Sequence, residues 1–191
     1  MARWEPNARD RLVRAAVDRF TEQGYDATTV TQIADRAGGL TKTTFCRHFP
    51  DKREVLFAGQ ELHIHLLADG IAAAPPDATP LQAVATALEA LAASFTDDRR
   101  DLGARLKPLI AANAELRERS VFKHAALAAA MANGLRERAV PDPTATLAAE
   151  VGLLAFDEAF ERWADPADRR SLVEHTQQAL EELRGAVAEL G

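Results

Sequence analysis

Five side chains in one short stretch of this 191-residue chain, Lys42, Thr43, Cys46, Arg47 and His48, carry groups able to recognise another molecule. Lys42 and Cys46, like Thr43 and Arg47, stand four residues apart and share a helix face, while Phe45 and Phe49 point to the opposite side as core anchors. An ammonium, a guanidinium and a hydroxyl presented together suit phosphate oxygens and base edges. Lys52 stands beside a further expected helix N-terminus, where backbone amides and a cation together favour a phosphate. The partner this set implies is duplex DNA.

The flanking residues must position that face. Leu12, Val13, Ala16, Val17 and Phe20 form one side of a first helix, and Gly24-Tyr25 end it near Gln23. Thr29-Val30-Thr31-Gln32 has capping-box spacing, and Val30, Ile33, Ala34 and Ala37 supply the buried side of the helix it opens. Gly38-Gly39 stops this second helix, Leu40 plugs the corner, and Thr41 caps the third, which Pro50 ends. Asp51-Lys52-Arg53-Glu54 then opens a helix predicted over 51–73, with Val55, Leu56, Leu62, Leu66 and Leu67 inward. That helix is the expected mechanical link to the rest of the chain. Helix, glycine turn, helix is the layout of a helix-turn-helix.

The run Thr28-Thr29-Val30-Thr31-Gln32-Ile33-Ala34, with Ala37-Gly38, Leu40-Thr41-Lys42-Thr43-Thr44-Phe45-Cys46-Arg47-His48-Phe49 and Asp51-Lys52-Arg53-Glu54-Val55-Leu56, resembles the DNA-binding domain of TetR-family transcriptional regulators. The resemblance covers the first third of the chain. It implies an all-helical homodimer whose larger C-terminal domain binds a small effector and controls operator affinity. By that likeness Thr29, Thr41, Lys42, Thr43, Thr44, Arg47, His48 and Lys52 match positions that contact DNA. Two departures stand out: one extra residue between Ala37 and Thr41, and Cys46 where the family usually has an aromatic, most often a tyrosine that bonds a phosphate. A thiol is a weaker donor than that hydroxyl.

The net charge of −6 conceals an asymmetry. Residues 1–58 hold ten Lys and Arg against eight Asp and Glu, whereas residues 59–191 hold thirteen against twenty-one. A positive head on an acidic body is suited to approaching phosphates with one end only. A single cysteine excludes an internal disulfide, and 47% hydrophobic with 27% charged residues is the balance of a soluble globular protein. With no charged-then-apolar leader and no long apolar run, the expected location is cytoplasmic, with no membrane partner.

The fold class expected is all-α: a three-helix helix-turn-helix domain over 1–52, then a helical effector-binding and dimerisation domain over 53–191. Thr79-Pro80 opens a helix lined by Leu81, Val84, Leu88, Leu91 and Phe95. Pro108 kinks or divides a short helix over 102–112, and Asn113 caps a long one reaching Ala139. The last two helices are the expected homodimer interface, through the small-residue stripe Ala148, Gly152, Ala155 and Ala159, and through a near-heptad seam from Leu172 to Leu190 whose helix Asp165-Pro166-Ala167-Asp168 caps. His63, Phe95, Phe122, His124, Met131, Phe156, Phe160 and Trp163 are candidates for an effector cavity. His63 and His65 lie on different helix faces and no cluster completes a metal set, so neither metal nor cofactor is expected. With no catalytic glycine or nucleophile motif, an enzyme is disfavoured. An activator or co-repressor-dependent regulator of the same fold, or a helical binding protein without DNA function, are the alternatives to a repressor.

Overall fold

A computed structural model of the chain describes residues 8–190; the first seven residues of the expected 1–52 domain lie outside them. Among the described residues the regular elements are all helical: α1 (Ala8–Gln23), α2 (Val30–Arg36), α3 (Lys42–His48), α4 (Gln60–Ala73), α5 (Pro80–Ala93), α6 (Arg100–Ala112), α7 (Ala114–Glu137), α8 (Asp142–Ala164) and α9 (Leu172–Glu189). Short 3-10 turns precede α4, at Glu54–Phe57, and α6, at Asp97–Arg99. No helix among the described residues is long and apolar enough to cross a membrane. Two compact units emerge: one runs through Ala58 and takes in Arg105–Ser120, the other comprises Gly59–Ala104 and the chain from Val121 onward.

In the first unit α1 buries Leu12, Ala15, Ala16, Val17 and Phe20, the three-and-four spacing of an amphipathic helix. α2 and α3 pack on it through Ile33, Ala34 and Phe45. The end of α1 is tied to the start of α2 by Gln23, whose amide donates to Thr28 Oγ1 at 3.2 Å and Gln32 Oε1 at 3.1 Å. Thr28, itself buried, donates to the Gly24 carbonyl at 2.7 Å, so its hydroxyl is not left unsatisfied.

The single helix expected over 51–73 is interrupted. Asp51 does cap, accepting from the amides of Arg53 and Glu54 at 2.8 and 3.0 Å. The chain then makes a 3-10 turn in which Val55, Leu56 and Phe57 are all buried. One stripe of an α-helix cannot bury three consecutive residues, and Gly59 restarts the chain as α4. Leu62, expected inward, is 58% exposed.

In the second unit α5 packs against α4, α8 and α9, and Leu88 and Leu91 lose all contact with solvent. Its N-terminus is closed by a capping box between Thr79 and Gln82. The small-residue stripe on α8 faces this helix and not a second chain: Ala148, Gly152, Ala155 and Ala159 are buried, and a Cβ at Gly152 would strike the Val84 side chain. The expected use of that stripe between protomers is therefore corrected. Small residues permit close approach, and the helix that approaches is α5. Leu147 and Leu154, which flank the stripe, remain exposed. The cap of α9 also differs from expectation, since Ser171 and Glu174, and not Asp165–Asp168, close the capping box at its start. Asn113 caps α7 as expected, accepting from the amides of Glu115 and Leu116, and α7 ends two residues short of Ala139, which takes a positive φ of 62°. Pro108 sits inside α6 without dividing it.

Candidate nucleic-acid interface

α2 starts where its sequence dictates. Thr29 Oγ1 accepts from the Gln32 amide at 3.3 Å, and Gln32 Oε1 accepts in return from the Thr29 amide at 2.8 Å. At its other end Gly38 and Gly39 take φ of 92° and 74°, a left-handed pair that side chains with a Cβ enter at a cost. Gly39 N–H donates to Asp35 O and Leu40 N–H to Ala34 O, both at 2.9 Å. The second bond closes a loop one residue longer than the usual glycine cap, which is how the extra residue of this turn is accommodated. Thr41 then caps α3 by accepting from the Thr44 amide at 3.1 Å.

Orientation of α3 comes from its two phenylalanines. Phe45 and Phe49 are buried with ring centroids 5.5 Å apart, and the Arg9 guanidinium lies 5.4 Å above the Phe49 ring. Lys42, Thr43, Cys46, Arg47 and His48 are consequently exposed, as their spacing predicts. Thr44 is half-buried with its hydroxyl 3.0 Å from that of Thr41, so both hydroxyls are already engaged at the cap.

Charge on the head is concentrated by internal pairing. Arg36 pairs with Glu22 at 3.1 Å, and Arg53 lies within 3.6 Å of Asp51, Glu54 and Glu115. Lys52 is turned inward as well. Its ammonium donates to the carbonyls of Tyr25 at 2.8 Å and Thr28 at 3.2 Å and lies 4.2 Å from the Tyr25 ring centroid. The reading of Lys52 as a free cation at a helix N-terminus is corrected on this geometry, because carbonyls of its own chain occupy its donors and the element after it is a 3-10 turn. Lys42 and Arg47, by contrast, make no ion pair or hydrogen bond among the described residues. The seven-residue α3 thus presents two unengaged cations on its exposed face.

The residues suggested for an effector cavity lie in the second unit, and the structure unites only some of them. Phe95, Phe156, Phe160 and Trp163 form an interlocked aromatic cluster with centroids 5.7 to 6.3 Å apart for the Phe95 contacts and the Phe156–Phe160 pair. His63 joins it, 5.2 Å from Phe95. Met131 is wholly buried in the core of the same unit. His124 pairs with Asp157 at 3.1 Å. Phe122 is corrected: at 62% exposure it faces solvent and is not part of this cluster. Among the described residues no group of three or more His, Cys, Asp or Glu is placed to hold a metal ion.

His63 has a measurable consequence. Burial, reinforced by Lys123 and Arg99, lowers its pKa from the usual 6.5 to about 4, and burial lowers that of His175 against the opposing pull of Asp168. The His63 imidazole takes up a proton on unfolding, so its contribution to stability is complete above about pH 6.5 and is lost as pH falls towards 4. The melting temperature is expected to drop across that window, and to drop less in His63→Leu. An equally steep decline in the variant would assign the acid sensitivity to other groups.

A capped, three-helix head that presents one cationic helix outward is the architecture of helix-turn-helix proteins. Residues 12–58 match the family described as bacterial regulatory proteins, tetR family. It is 36% identical over 89 residues to the HTH-type transcriptional regulator TcmR of Streptomyces glaucescens, a match spanning 47% of this chain and 39% of that protein. Against the HTH-type transcriptional activator FasR of Mycolicibacterium smegmatis it is 36% identical over 63 residues, 33% of this chain and 28% of the other. The chain thus matches well under half the length of these relatives. In fold it is similar to Thermus thermophilus FadR, a TetR-family transcriptional repressor seen in complex with lauroyl-CoA, with a TM-score of 0.54, 24% identity and coverage of 92% and 93% of the two chains.

Proposed function

We propose that the protein is a dimeric, cytoplasmic transcriptional regulator, a repressor that leaves a palindromic operator when a small molecule enters its helical body. The observation that carries this reading is the pair Lys42 and Arg47, unengaged on the outward face of α3 while neighbouring head cations are paired. A ligand shifts such an equilibrium only by binding better to a conformation that fits DNA less well. The aromatic cluster around Phe95 and Trp163, with His63 beside it, is the apolar lining this reading assigns to the effector. Activation in place of repression would use the same head; the likeness to FasR, named an activator, favours keeping that sign open to measurement by reporter output after gene deletion.

Selection of bound fragments from random DNA tests the reading directly. Enriched sequences with two-fold symmetry are expected; a protein that retains no DNA in dilute salt overturns it. For the dimer, α8 and α9 are the assigned surfaces. Leu147 and Leu154 stand two turns apart on α8 and are 59% and 50% exposed, with Val187 and Leu190 exposed on α9. Replacing Leu147 and Leu154 together by glutamate is expected to yield monomers in sedimentation or light scattering, with the fold retained because neither side chain is in the core. A variant that remains dimeric places the interface elsewhere.

A further inference from the structure

The first unit recruits a segment from far along the chain, and its contacts converge on the elements that carry the proposed DNA face. Arg119 on α7 grips Glu54 with both prongs of its guanidinium, Nε to Oε1 at 2.6 Å and Nη2 to Oε2 at 2.8 Å. Two-pronged charge-assisted bonds fix orientation as well as distance. Their effect is visible on Glu54, whose carboxyl is held below the usual range chiefly by the hydrogen bond from Arg119. The same guanidinium lies 4.9 Å from the centroid of the buried Phe57 ring, so it seats the whole 3-10 turn between α3 and α4.

One turn earlier on α7, Glu115 acts on the other side of the head. It approaches Arg53, the residue that follows Lys52, at 3.6 Å. Tyr25 supports the Lys52 ammonium on its ring, and Lys52 holds the Tyr25 and Thr28 carbonyls. Thr28 immediately precedes Thr29, the N-cap of α2. Two short runs of contacts therefore start on α7: Arg119–Glu54 reaches the segment after α3, and Glu115–Arg53 reaches the residue beside Lys52, whose ammonium holds the loop before α2. None of these groups lies on the exposed face of α3. α7 itself continues past Ser120 into the second unit.

We infer that Arg119 and Glu115 are positioning residues for DNA binding: through Glu54 and through Arg53 beside Lys52 they hold α2 and α3 at the angle the groove requires. The inference rests on the DNA-binding reading above. Its test is Arg119→Met, which keeps an apolar stem over Phe57 and removes the two-pronged grip, with Arg119→Lys as the milder variant that keeps the charge but not the fork. Affinity for a selected DNA duplex is measured at several salt concentrations, well below each variant's melting temperature and normalised to the concentration of binding-competent protein.

Arg119→Met is expected to bind at least about tenfold more weakly, and Arg119→Lys to fall between it and the wild type. In both, the slope of log affinity against log salt is expected to stay that of the wild type, since no phosphate contact is removed. Unchanged affinity in both variants overturns the inference. So does a shallower slope, which would make Arg119 a direct phosphate ligand, or a loss that disappears on normalisation, which would make its role stability alone. Failure of the wild-type protein to bind DNA is a different result and overturns the DNA-binding reading itself.

Discussion

Replacing Lys42 and Arg47 together by alanine is expected to weaken DNA binding by about a hundredfold or more, the equivalent of roughly 3 kcal/mol spread over two contacts. Both side chains are exposed and unengaged among the described residues, so their removal takes nothing from the fold and the melting temperature is expected to hold. The salt dependence separates their roles. Each cation that neutralises a phosphate contributes about 0.9 to the slope of log affinity against log salt, whereas one that reads a base edge changes sequence preference. A slope lowered by about two assigns both to phosphates; a slope lowered by about one, with altered preference at one position, assigns one to each task. A double variant with unaltered affinity, slope and preference would remove α3 from the interface.

Phe45→Ala is expected to have the largest effect on stability, about 3–5 kcal/mol by the usual cost of emptying a buried aromatic site. The ring is fully buried at the meeting point of α1, α2 and α3 and tilts against Phe49. A head of this size has few other large side chains to close the void, so its loss should appear as an early melting transition together with lost DNA binding. Phe45→Leu, which keeps most of the volume, is expected to cost far less. If chemical denaturation shows less than about 1 kcal/mol between wild type and alanine variant, the site collapses freely and Phe45 is not the anchor that orients α3.

The contrast between Lys42 and Lys52 shows how much of the interface was legible. Both are lysines near helix starts in the same stretch of sequence, and spacing alone treats them alike. Lys42 is free because Phe45 and Phe49 turn it outward, a fact contained in the four-residue period. Lys52 is engaged because the carbonyls of Tyr25 and Thr28 lie beside it, and their position depends on how the 25–28 loop folds back over α1. The stripe on α8 behaves in the same way. Its small residues do mark a close helix contact, but spacing cannot say whether the neighbour is another protomer or α5.

By itself the amino-acid order determined where α2 begins and ends, where α3 begins, and which face of α3 is apolar. Thr29 with Gln32, Gly38 with Gly39, and Thr41 with Thr44 interact across at most a few residues, so their geometry is local and almost independent of the rest of the chain. Only the tertiary structure decided which charged groups are engaged and which stay available. Arg119 meets Glu54 at a separation of 65 positions in the chain, and no local rule selects one carboxylate among the chain's 29 acidic residues. Such pairs form when packing has already brought the helices together, because only then do proximity and partial desolvation make one partner better than water.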